Sequence, residues 1–153
     1  MAPNNSFALL QQLAEKRRDA GTRKLGAALA QTREADGRLK LLVDYRADYQ
    51  GRLERAVRGG IKGEGLRNYQ SFLGNLERAI EQQLRTLAGL QDEVCRLRAE
   101  IADEQRQIES YAVLLRRRSR SESQREGRRA QALQDELATH SVIRLSRGDG
   151  GND

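Results

Sequence analysis

The chain has 153 residues, 37% of them hydrophobic, 4% aromatic and 33% charged, with a net charge of +6 and one cysteine. This is enough length for about one domain but too little apolar material for a thick core, and a single cysteine excludes an intramolecular disulfide and a multi-cysteine metal site. Recurrent Ala, Leu, Glu, Gln and Arg instead suit long helices that each bury one narrow stripe.

The N-terminus, "MAPNNSFALLQQLAEKRRD", has neither a basic start nor an unbroken apolar run, so no signal peptide is expected. No stretch approaches the roughly 18 apolar residues of a membrane span, and a soluble, cytoplasmic protein without a cofactor is the expectation. The only proline is Pro3, so nothing downstream forces a helix to stop. Helix 1 is predicted over about 6–58. Steps of four and three residues from Ala28 give Thr32, Ala35, Leu39, Leu42, Arg46, Tyr49, Leu53 and Ala56, and upstream Leu10, Leu13 and Ala20 continue the pattern less regularly. The stripe is rich in alanine, which predicts close approach to a partner helix.

"RGGIKGEGLRNYQSF" follows at 58–72, with glycines at 59, 60, 63 and 65. A phosphate-binding loop would need a strand before the glycines and a Gly-Lys-Ser/Thr entry into the next helix, and neither is present. Gly59 and Gly60 after the basic Arg58 read instead as a helix C-cap, and a turn over 59–66 reverses the chain.

Helix 2 is predicted over about 67–138. From Leu73 the heptad step gives Leu76, Ile80, Gln83, Leu87, Leu90, Val94, Leu97, Ile101, Glu104, Ile108, Tyr111 and Leu115, apolar or aromatic at all but Gln83 and Glu104. A seam this long needs a partner helix, and helix 1 is the candidate. With the turn near Ile61 and Lys62, Ala28 faces the neighbourhood of Cys95, and Leu42 that of Glu81. The fold class is therefore all-α: one long antiparallel two-helix coiled-coil hairpin over 6–140, with arms on the order of 75 Å at ~1.5 Å per residue. Gly21, Gly26, Gly37, Gly51, Gly74 and Gly89 lie inside these helices, each costing about 1 kcal/mol relative to alanine.

Beyond Leu115 the seam is lost. "RRRSRSESQREGRR" at 116–129 has no apolar residue, and a polar C-terminal overhang with a flexible, disordered tail over 141–153 is expected. Its seven arginines could attract nucleic-acid phosphate, but two glutamates interrupt the run and no aromatic residue is interleaved for stacking, so a solvated or partner-facing basic face is favoured. The two ends of the chain are basic and the middle slightly acidic, which in a hairpin would gather positive charge at the open end.

No catalytic constellation is visible. His140 is the only histidine, with no second ligand at metal spacing, and Cys95 neighbours the seam position Val94 as a half-buried helix residue. Information on such a chain would sit on apolar residues off the seam. Leu42, Tyr45 and Tyr49 share one face of helix 1, and Phe72, Leu76 and Ala79 repeat the spacing at the start of helix 2. Because Tyr45, Phe72 and Ala79 lie one position off the seam, these six residues form either a docking patch or a widened core stripe.

"LAEK" at 13–16, "LKLLVDYRADY" at 39–49, "GGI" at 59–61 and "NYQSFLGNLERAIEQQ" at 68–83 resemble the flagellar type III export protein FliJ family over roughly residues 7–97. The resemblance implies a long two-helix coiled coil similar to the central stalk of rotary ATPases, without enzymatic activity. It also implies three partners: a hexameric flagellar export ATPase, the cytoplasmic linker of the membrane export gate, and export chaperones that the protein helps to cycle. The association would be peripheral, on the cytoplasmic side of the membrane. In the family the gate contact uses a patch matching Leu42, Tyr45, Tyr49, Phe72, Leu76 and Ala79. Leu13, Lys16, Arg17, Arg116, Arg117 and Arg118 are the candidates for contact with the ATPase ring. The equivalent stalk of a virulence-type secretion system and a basic nucleic-acid-associated coiled coil are the alternatives.

Overall fold

In a computed structural model, which describes residues 3–148, the chain forms two helices, α1 (Pro3–Arg58) and α2 (Glu64–Gly148), with no strand among the described residues. The fold is the all-α helical hairpin expected. The boundaries differ at both ends of α2. It starts at Glu64 rather than near 67, because the turn is tighter than 59–66. It also runs on to Gly148, past the end expected near 138, so residues 141–148 of the expected flexible tail are helical. No proline or glycine interrupts 128–147, and the Thr139 and Ser141 hydroxyls donate to the carbonyls of Asp135 and Leu137 one turn back, at 2.8 Å each. Residues 149–153 of that tail lie outside the described residues.

The turn is a Schellman cap. Gly60 N–H donates to the Val57 carbonyl at 3.1 Å and Ile61 N–H to the Ala56 carbonyl at 3.0 Å, satisfying two carbonyls that the end of α1 would leave orphaned. This requires a left-handed backbone at Gly60, whose φ is +91°. Gly63 (φ +66°) then accepts the first hydrogen bond of α2 from Arg67 at 3.1 Å. Together the two glycines reverse the chain, as the sequence suggests.

The described chain divides into two units. In the unit Glu15–Gln105, α1 packs antiparallel on α2, and every seam position from Leu73 to Glu104 is buried or half-buried. Size is divided unequally between the helices. The buried residues of α1 here are Ala28 and Ala35, whereas α2 contributes Leu76, Ile80, Val94 and Leu97. Ala28 clusters with Val94 and Leu97, on either side of the expected neighbour Cys95, and Leu25 and Leu29 pack against them. Gly21 sits so close to α2 that a Cβ there would lie 3.1 Å from Ile101 Cγ1. Small residues on one helix thus admit large side chains from the other. The polar seam residue Gln83 uses its amide to donate to the Ala35 carbonyl at 3.0 Å. Glu104 is less well served: its Oε2 is buried without a hydrogen-bond partner.

In the second unit, the described residues are 3–14 of α1 and 106–148 of α2. Ala14 and Ile108 are its buried residues. Phe7 meets Tyr111 with ring centroids 6.4 Å apart, and the Arg118 guanidinium lies 5.7 Å over the Phe7 ring. One expectation is corrected here. Leu10 and Leu13 do not face inward; with Leu9 they are exposed. The inward positions are Phe7, Gln11 and Ala14, which keep the strict heptad spacing of Ala28 and Gly21. From Ser119 to Gly148 every residue of α2 is exposed.

Candidate docking surfaces

The six residues singled out near the turn separate by burial. Tyr45 is 57% exposed and Phe72 41%, while Leu76 is only 8% exposed. Leu42, Tyr49 and Ala79 are half-buried. Leu76 is therefore a core residue, held between the helices, and a partner could reach little of it. Of the others, Tyr49 and Phe72 are brought together across the two helices. Tyr49, a seam position of α1, lies with its ring centroid 4.1 Å from that of Phe72 and 6.1 Å from that of Tyr69. Arg52, one turn further along α1, places its guanidinium 5.3 Å from the Tyr49 centroid while pairing with Asp48 at 3.1 Å.

Beside this stack is an open groove of about 380 Å³ lined by Tyr49, Arg52, Ile61, Gly65, Asn68, Tyr69 and Phe72. Ile61 folds back over the start of α2 so closely that a Cβ on Gly65 would lie 2.7 Å from its Cδ1. Arg52, Tyr69 and Asn68 were not singled out from sequence. The signal was available: Arg52 follows Tyr49, and Phe72 follows Tyr69, by three residues on a shared helix face. The groove has a cationic, aromatic and amide lining, with no pair of groups poised for acid–base or nucleophilic chemistry. What it presents is aromatic area at low conformational cost.

The second set of candidates is basic. Leu13 and Arg116 to Arg118 belong to the unit that contains both chain ends, and Lys16 and Arg17 belong to the other. Leu13, Lys16, Arg17, Arg116 and Arg117 are exposed; Arg118 is half-buried because it covers Phe7. Cys95 is exposed, not half-buried as its place beside Val94 suggests, because only every third or fourth residue of α2 meets α1. His140 is exposed on the overhang. Among the described residues no group of three His, Cys, Asp or Glu side chains could hold a metal, and no helix is long and apolar enough to cross a membrane. An electrostatic network lies on the outside of α2, where a hydrogen bond from Arg96 holds the Glu93 carboxyl below its ordinary pKa and Arg96 also donates to Glu100 at 2.6 Å.

Comparison with known proteins places nearly the whole chain in one family. The family model described as "Flagellar FliJ protein" matches residues 3–147, well beyond the segment in which the resemblance is visible by eye. Two proteins of that name, from Salmonella typhi and Escherichia coli K12, are each 29% identical to it over 144 residues, covering 94% of this chain and 98% of theirs. No solved structure matches. The chain belongs to the FliJ family of flagellar proteins, with a role in flagellar export in general.

Proposed function

We propose that the protein is a non-enzymatic coupling component of the flagellar type III export apparatus. Its near-turn surface docks on the cytoplasmic linker of the membrane export gate, and Leu13, with the basic residues Lys16, Arg17, Arg116, Arg117 and Arg118, engages a hexameric export ATPase. Coupling is allosteric: binding to the ring biases its assembly or subunit conformations, and docking biases the gate. Assistance in cycling export chaperones is part of the same reading. The observation that carries it is the pair of exposed aromatic residues, Tyr45 and Phe72, with Phe72 stacked on a tyrosine that the opposite helix supplies. Aromatic anchors on a rigid element are the usual source of binding energy at a protein interface.

The test is co-purification of the wild-type chain and of Tyr45→Ala/Phe72→Ala with the export ATPase and with the gate linker. The variant is expected to lose the linker and keep the ATPase. Unchanged linker capture would refute the docking assignment, and absence of the ATPase from the wild-type material would refute the coupling role.

A further inference from the structure

The overhang of α2, residues 119–148, is helical and exposed along its whole length. A solitary helix gains little stability in water, because most helical stability in proteins comes from packing one face against something else. One face of this segment carries an ordered series. Helical spacing lines up Glu122, Glu126, Leu133, Leu137, His140 and Arg144, acidic at one end, apolar in the middle and basic at the other, with Arg129 at the edge of the face between Glu126 and Leu133. Among the described residues none of Glu122, Glu126 and Arg144 is in an ion pair within the chain, so their charges are available to a partner.

We infer that this face is a self-association surface whose occupant is the overhang of a second copy of the chain, running antiparallel. The charge order decides the direction. A parallel copy would set Glu122 on Glu122 and Arg144 on Arg144. An antiparallel copy centred on Leu133 sets Leu133 on Leu133 once, at the two-fold axis, and Glu126 opposite His140 and Glu122 opposite Arg144 twice each. The Glu126 contact needs only an imidazole N–H, which histidine carries in either protonation state. Leu133, exposed in the single chain, becomes the apolar centre, and the exposed Leu137 lies against the aliphatic stem of Arg129 of the second copy. The apolar area is small, so the association is weak and salt-sensitive, and the flanking charges set orientation more than affinity. This inference is independent of the docking and coupling roles proposed above.

Sedimentation equilibrium of the full chain carrying Cys95→Ser, at low ionic strength, tests it. The wild-type face is expected to give a monomer–dimer equilibrium. Glu122→Arg/Glu126→Arg and His140→Glu/Arg144→Glu should each raise the dissociation constant about tenfold, as expected for losing four exposed charge contacts. An equimolar mixture of the two variants should recover association, because one then offers only basic ends and the other only acidic ones. Glu126→Cys and His140→Cys chains, oxidised together, should cross-link to each other rather than to themselves. A chain that stays monomeric throughout the range, including one that binds duplex DNA as a monomer, overturns the inference. So do reversal variants that associate like wild type, and a preference for the 126–126 cross-link.

Discussion

Leu76 and Phe72 are four residues apart on one helix, and truncating them should do opposite things. Leu76 is 8% exposed at the interface of the two helices, so Leu76→Ala removes buried methylenes and opens a gap. Leu→Ala changes in closed cores cost about 2–5 kcal/mol. A two-helix interface lets solvent reach the gap, which favours the lower end, about 2 kcal/mol, or a fall in melting temperature of roughly 4–8 °C for a chain of this size. Phe72 is 41% exposed; Phe72→Ala forfeits its stack on Tyr49 and about 1 kcal/mol. Tyr45, 57% exposed with no ring partner among the described residues, should stay within about 0.5 kcal/mol of wild type when changed to alanine. Thermal unfolding followed by circular dichroism at 222 nm should rank the losses Leu76, Phe72, Tyr45. Capture of the gate linker, at a temperature where all three variants are folded, should place Leu76→Ala closest to wild type. If Tyr45→Ala melts as low as Leu76→Ala, or folded Leu76→Ala loses the linker as fully as Phe72→Ala, the division between core and docking residues is wrong.

Gly26, Gly37 and Gly89 are helical and have nothing within 4 Å of an added Cβ, so each change to alanine should stabilise by about 0.4–1 kcal/mol; a combined variant that melts no higher than wild type would contradict the assignment. Gly60→Ala, at φ +91°, should instead destabilise by about 1 kcal/mol, and an unchanged melting temperature would count against the Schellman cap. Glu104→Leu removes a buried carboxylate oxygen that has no partner and should stabilise by about 1–3 kcal/mol, read by urea titration; lower stability would mean that the carboxylate is paired in solution. Cys95 is exposed, so in the folded chain it should react with a thiol reagent as fast as in denatured protein, and marked protection would show that this face of α2 is covered.

Periodicity made the hairpin legible because a two-helix interface has one strong requirement, an uninterrupted stripe on each helix, and the chain marks the α2 stripe with large aliphatic residues. It was less informative on α1, where burial depends on spacing and not on size. The inward positions before Ala28 include Gly21, Arg18, Ala14 and Gln11, which a search for apolar residues passes over in favour of Leu10 and Leu13. The geometry keeps the heptad phase and leaves those leucines outside, because a shift of phase would place Leu10 and Leu13 inward only by turning Phe7 away from Tyr111. The proposed docking surface was half legible for the same reason. Spacing brings Tyr45, Tyr49 and Phe72 to one side, but it cannot separate a residue beside the seam from one in it. That separation depends on how deeply the partner helix covers each position, and this is what makes Leu76 core, leaves Phe72 reachable, and adds Tyr69 and Arg52 to the surface around Tyr49.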